Sequence, residues 1–257
     1  MILVIDIGNT NAVVGGVQDR EIRFTRRLPS DRNWTTEQFR ENLQQQLEEE
    51  KVDLAQIEGG ILSSVVPVLT DRFLDALEQL TGKRFLNVTV DLCGDVPIHL
   101  DNPSQLGTDQ LVDAVAALAS YTPPLAIIDM GTATTVSVVD PEGAYAGGII
   151  APGLRLSMDA LSNYAAQLPQ ITLKDPARVI GTNTVDCMTS GAIYGHAAML
   201  DGVIGRMEKE LGQPMTVVAT GGLMRLVLPH CEREVHYHEN LLLEGLAILY
   251  EKNTAKE

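Results

Sequence analysis

The amino-acid sequence predicts an α/β protein of two lobes, and three observations carry the prediction. Short β-rich runs punctuated by Gly, Asn and Asp alternate with amphipathic helical stretches. The breaker Pro123-Pro124 falls near the middle of the chain and gives lobes of 1–122 and 123–257. The second lobe then restarts the first. Leu125-Ala-Ile-Ile-Asp129-Met-Gly131-Thr-Ala-Thr-Thr-Val136 repeats the order of features in Leu3-Val-Ile-Asp6-Ile-Gly8-Asn-Thr-Asn-Ala-Val13. In each, an apolar strand delivers an Asp, a Gly lets the chain turn, and small polar residues precede a second strand. One Asp-x-Gly after a strand is a common turn; two in corresponding places favour a duplicated β-meander.

Each element has its own local reason. Residues 2–29 hold three β-rich runs separated by turn formers, the pattern of a β-meander. Thr35-Thr36-Glu37-Gln38 is an N-cap signal, and Phe39, Leu43 and Leu47 recur every four positions through Lys51, predicting an exposed amphipathic helix. Gly60–Val66 reads as a buried strand ending at Pro67, followed by a helix from Val68 to Thr81 that Gly82 stops, and by a strand Phe85–Val90. An Ala-rich helix runs from Leu106 to Tyr121. Beyond the second meander the pattern predicts a hairpin, helices near 154–167 and 184–210, a strand Met215–Ala219 and a final helix Asn240–Glu251.

Composition narrows the function. The 257 residues are 45% hydrophobic, enough to build a core and exclude disorder. A net charge of −15, from 34 acids against 19 basic residues, argues against the clustered Lys and Arg that nucleic acid demands. The N-terminus lacks a basic region before its apolar residues, and no apolar run reaches about 18 residues, so neither a signal peptide nor a membrane span is expected. Cys93, Cys187 and Cys231 are an odd, widely spaced set without a CxxC pair, which disfavours a disulfide framework or zinc ribbon. Together these features point to the cytoplasm.

The chain contains no Walker A loop, no G-x-G-x-x-G, no H-E-x-x-H and no G-x-S-x-G. What remains is a set of Asp and Gly-Thr clusters at the ends of strands, in two lobes able to face one another across a cleft that suits a triphosphate. Backbone N–H groups at Gly8 and Gly131, with hydroxyls from Thr10, Thr132, Thr134 and Thr135, can cradle phosphate oxygens without many cationic side chains. Asp6 then suits Mg²⁺ held through water. Asp109, in Leu106-Gly107-Thr108-Asp109-Gln110, stands at the start of the Ala-rich helix. A carboxylate there complements the helix dipole, and it also suits a general base for an attacking hydroxyl; the pattern leaves both readings open.

Seven segments in order resemble the type III pantothenate kinases across nearly the whole chain. They are Asp6-Ile-Gly-Asn-Thr-Asn11, Ser63-Ser-Val-Val-Pro67, Asp101-Asn-Pro103 with Leu106-Gly-Thr-Asp109, Asp129-Met-Gly-Thr-Ala-Thr-Thr135, Gly147-Gly-Ile-Ile-Ala-Pro-Gly153, Gly181-Thr-Asn-Thr184 and Ala219-Thr-Gly-Gly222. The resemblance implies the acetate and sugar kinase, Hsp70 and actin superfamily: two ribonuclease-H-like lobes around a nucleotide cleft, a duplicated actin-like ATPase fold. It implies ATP-dependent phosphorylation of pantothenate, the first step of coenzyme A synthesis, by a homodimer needing Mg²⁺ and K⁺ or NH4⁺. By matching position it makes Asp6, Ile7, Gly8, Asn9, Thr10, Asn11, Ala12 and Val13 the first ATP phosphate loop and Thr132 a second phosphate contact. Asp129 becomes the monovalent-cation ligand and Asp109 the proton acceptor. Leu100, Gly107, Thr108, Asp109, Gln110 and Thr184 fall in the pantothenate site, and Gly221 and Gly222 near the adenosine.

Two positions depart from the family pattern. Leu100 stands where the family usually has Tyr, and Gln110 where it usually has Arg. Losing that charge near an anionic substrate predicts weaker pantothenate binding with the phosphate machinery intact. Two alternatives therefore stay open: a degenerate paralogue that binds nucleotide in a regulatory role, and a kinase of a related small hydroxy acid. His230, Cys231, His236 and His238 form a C-terminal cluster that reads as a polar edge strand or, alternatively, as a zinc site.

Overall fold

The computed structural model describes residues 1–255. The chain forms two compact units, the first made of Met1–Pro97, Asp101–Ser120 and the segment from Asn240, the second of Ile98–Leu100 and Tyr121–Glu239.

In the first unit β1 (Ile2–Ile7), β2 (Asn11–Gln18) and β3 (Glu21–Pro29) form the antiparallel meander, with β4 (Gly59–Ser64) and β5 (Phe85–Asn87) joining in parallel in the order β3-β2-β1-β4-β5. The β2–β3 hairpin turns on Asp19 and Arg20, both at positive φ, the backbone that matches the strands' right-handed twist. Leu3, Val4 and Ile5 are all buried because helices cover both sheet faces. The helix α1 (Thr36–Glu49) starts on a complete capping box, Thr35 with Gln38, and buries Phe39, Leu43 and Leu47 as their spacing predicts. Its partner α2 (Pro67–Thr81) has Pro at its first turn and ends on Gly82 in the left-handed conformation. Phe39 and Phe73 join the two helices with ring centroids 4.5 Å apart. The strand expected to run to Val90 stops at Asn87; Thr89 accepts the N–H of Leu92 and starts a 3-10 turn, Asp91–Cys93.

The second unit repeats the plan. β6 (Leu125–Met130), β7 (Ala133–Val139) and β8 (Tyr145–Pro152) form an antiparallel meander, extended in parallel by β9 (Thr216–Thr220) and the two-residue β10 (His236–Tyr237) in the order β10-β9-β6-β7-β8. Read from the meander outwards, both sheets have the same strand order and the same senses. The helix α3 (Thr108–Ser120) of the first unit precedes this meander in the chain; α4 (Leu154–Tyr164) and the 28-residue α5 (Thr184–Leu211), capped by Asn183, follow it. The short α6 (Met224–Val227) follows β9.

The final helix α7 (Leu241–Thr254) differs from its placement by chain order, because it packs in the first unit rather than the second. It runs beside α3 and is anchored by Arg20–Glu251 and Lys252–Asp95 ion pairs. Gly245 permits this approach: a Cβ there would stand 2.4 Å from the Val112 carbonyl oxygen.

Candidate active site

In the first unit Asp6 is the penultimate residue of β1, half-buried, and the strand delivers it to the turn that follows. The Gly8 N–H donates to Asn11 O at 3.0 Å and closes that turn. Ser30, just past β3, braces it twice: its hydroxyl donates to Gly8 O at 2.6 Å and its N–H to Thr10 O at 3.1 Å. Asn9, Thr10 and Asn11 are exposed at the tip, while Ile7 and Ala12 face the core and Val13 is half-buried.

The Gly107–Gln110 segment opens α3. The Asp109 carboxylate turns back over the helix start, its Oδ1 accepting the Gln110 N–H at 2.9 Å. Burial pushes the Asp109 carboxyl above its ordinary value, against the lowering effect of the Gln110 and Asp109 backbone N–H groups. Such a group holds a proton more readily than a solvated carboxylate, as a proton acceptor should. Thr108 meets a fully buried hydroxyl of the neighbouring strand, with Ser63 Oγ and Thr108 Oγ1 3.0 Å apart. Ser63 lies in register with Asp6 across β1 and β4.

The second unit carries the matching turn. Asp129 is the penultimate residue of β6, and the Gly131 N–H donates to Ala133 O at 2.9 Å. Gly153, just past β8, donates to Thr132 O at 3.2 Å, in the place Ser30 occupies in the first unit. Thr132 is exposed and Thr135 half-buried. Thr134 corrects the sequence reading: it is fully buried, and its hydroxyl has no hydrogen-bond partner among the described residues. Adjacent strand residues face opposite ways, so β7 cannot present Thr134 and Thr135 to one ligand.

Leu100 sits in the Ile98–Leu100 segment against β8, where His99 donates its N–H to Tyr145 O at 2.9 Å and its ring meets Asp140 at 3.1 Å. Thr184 is the first residue of α5 and lines an apolar cavity of about 740 Å³ with Met158, Leu161, Met188 and His196. Gly221 and Gly222 follow β9, and the Tyr237 hydroxyl reaches Gly221 O at 3.4 Å. The structure thus gathers Asp6–Val13 and Gly107–Gln110 in one unit, and Leu100, Asp129, Thr132, Thr184, Gly221 and Gly222 in the other. The C-terminal histidines serve packing: His238 bonds the Tyr121 hydroxyl at 2.6 Å, His236 lies against the Tyr121 ring, and His230 pairs with Asp175. No metal-holding group of three or more His, Cys, Asp or Glu occurs among the described residues.

Sequence reasoning missed Ser30 and the partnership of Ser63. Ser30 follows Pro29 in an ordinary turn with no periodic signal. Ser63 stood within a quoted motif, yet nothing local announces that Thr108, 45 residues later, is its partner.

Two sheets of one strand order, each with an Asp near the end of its first strand and a braced turn after it, define a duplicated actin-like ATPase fold of the kind sugar kinases use. The ROK hexokinase from Thermus thermophilus shares it, with a TM-score of 0.54, 14% identity, and coverage of 100% of this chain and 99% of that one. Sequence comparison then gives the family. The chain belongs to the type III pantothenate kinases, whose family profile matches residues 2–206. A type III pantothenate kinase of Exiguobacterium sp. is 43% identical, covering 98% of this chain and 99% of its own. One from Moorella thermoacetica is 40% identical over 99% and 100% respectively.

Proposed function

We infer that the protein transfers the γ-phosphoryl group of ATP to the primary hydroxyl of pantothenate, giving 4'-phosphopantothenate, the opening step of coenzyme A synthesis. The observation that carries this reading is family membership along nearly the whole chain at 43% identity. The raised proton affinity of Asp109 supports it at the level of chemistry.

Asp109 accepts the proton of the pantothenate hydroxyl as the oxygen attacks phosphorus in line with the departing ADP oxygen. The Asp6–Val13 turn and Thr132 hold the phosphate oxygens through backbone N–H and hydroxyl groups. Gly107, Thr108, Gln110, Leu100 and Thr184 hold pantothenate. Asp6 suits Mg²⁺, because a half-buried carboxylate beside a hydroxyl-bearing turn supplies hard oxygen donors and leaves room for water. When bound with ATP, Mg²⁺ neutralises charge on the phosphate oxygens. Asp129 takes the monovalent cation, K⁺ or NH4⁺, by the same donor chemistry.

The working form is a homodimer. Apart from Val68, the large apolar side chains that the described residues expose lie on β8, α4 and 179–185, among them Ile150 at 77% and Ile180 at 80%. Apolar surface of this kind marks a protein interface. The free cysteines and the acidic surface agree with a cytoplasmic enzyme that uses neither nucleic acid nor membrane, and no helix among the described residues is long and apolar enough to cross one. ADP release by the purified protein with Mg-ATP tests the reading. It should require pantothenate and K⁺ and fall by about a hundredfold or more in Asp109→Asn; pantothenate-independent or absent release by the parent would overturn it.

A further inference from the structure

The Ser63-Ser64-Val65-Val66-Pro67 segment has no role in the reaction as described, yet its first residue makes an unusual connection. Ser63 is wholly inaccessible, and the four strand residues before it, Gly59 to Leu62, are buried and carry no polar side chain. A hydroxyl in such a place needs a partner, because a buried polar group left unpaired is costly. Its partner is the Thr108 hydroxyl, 3.0 Å away, on the first residue of α3. On one side Ser63 is in register with Asp6, at the root of the phosphate turn. On the other, Thr108 immediately precedes Asp109, whose carboxylate folds back onto the same helical turn through Gln110 N–H. The chain Asp6, Ser63, Thr108, Asp109 lies within one unit and crosses two adjacent strands and a helix start.

We propose that Ser63 is a positioning residue: its hydroxyl bond to Thr108 fixes the first turn of α3 against β4 and thereby fixes the Asp109 carboxylate relative to the Asp6 turn. The inference rests on Asp109 being the proton acceptor. The bond reaches the reaction through distance alone, since Ser63 is enclosed and touches no substrate. A carboxylate displaced by a fraction of an ångström accepts the proton less often, so the principal effect belongs in kcat, with ATP binding untouched. Misplacement of a reacting group by about 1 Å costs about a hundredfold, and a smaller slip costs proportionately less.

The test is steady-state kinetics of the full-length kinase with Mg-ATP and pantothenate. Ser63→Ala should lower kcat roughly ten- to a hundredfold, with KM for ATP within about twofold of the parent. Thr108→Val should lower kcat to a similar extent, and Ser63→Ala with Thr108→Val should lower kcat no further than the more affected single variant. Unchanged kcat in Ser63→Ala, or additive losses of kcat in the double variant, would each overturn the proposal. Asp109→Asn, measured in parallel, separates the two levels. Its retention of turnover would remove the proton acceptor itself, whereas its loss beside an unaffected Ser63→Ala removes the positioning role alone.

Discussion

Gly107 and Asp109 share one small volume: a Cβ on Gly107 would stand 2.3 Å from Asp109 Oδ1. The carboxylate could yield only by leaving the Gln110 N–H it accepts at 2.9 Å. Gly107→Ala should therefore displace the acid and leave the fold standing. The expected result is a kcat about a hundredfold lower with an unchanged circular dichroism spectrum, and full activity would show that the carboxylate's position is not restrictive.

Asp109 should also set the pH dependence. A base must be deprotonated to act, and burial raises its proton affinity, so activity is lost as pH falls through a value above the ordinary one for Asp. The acid limb of kcat/KM measures this; a limb at or below the ordinary Asp value would contradict it.

The same burial has a stability consequence of opposite sign. The unfolded chain releases the Asp109 proton at lower pH than the native one, so the ionised carboxylate weakens the fold once pH exceeds both values. Asp109→Asn should lower kcat by about a hundred- to ten-thousandfold while melting slightly higher than the parent at pH 7. The difference in melting temperature should shrink as pH falls toward the unfolded carboxyl value.

Gln110→Arg should lower KM for pantothenate with kcat little changed. A charge-assisted hydrogen bond contributes about 1.5 to 3 kcal/mol, or roughly 10- to 100-fold in affinity. Half-buried Gln110 is the third residue of α3, beside Asp109, where such a bond would reach an anionic substrate. An unaltered KM would place pantothenate's carboxylate elsewhere.

Leu161→Asp should convert the proposed homodimer to a monomer. Leu161 is 40% exposed on α4 and lines the apolar cavity beside Thr184. A buried unpaired charge at an interface core is strongly unfavourable. Sedimentation velocity reads the outcome, and a dimer that persists would locate the interface on another face.

What the sequence disclosed follows the range of each signal. The capping box at Thr35 and the four-residue recurrence of Phe39, Leu43 and Leu47 are local, and α1 forms where they say. The two meanders are legible for the same reason, since each strand pairs with its chain neighbour. The Asp6 and Asp129 turns were found through their likeness to each other. Thr134 was misjudged because a Gly-Thr cluster reads as a loop, whereas β7 already begins at Ala133 and alternation turns Thr134 inward. The partner of α7 was hidden because its apolar face suits any core, and only close packing of Gly245 on Val112 selects α3.

The return of α7 also bears on synthesis. Residues 121–239 build the second unit and stand between two pieces of the first. A nascent chain emerging from its N-terminus can pair β1 to β5 early, but α3 waits without its neighbour until the last helix leaves the ribosome. Over that interval the face of α3 with Val112 and Ala116 is bare, a surface for chaperones to shield. The second unit has no such wait, because all its strands and helices lie within one uninterrupted stretch apart from Ile98–Leu100.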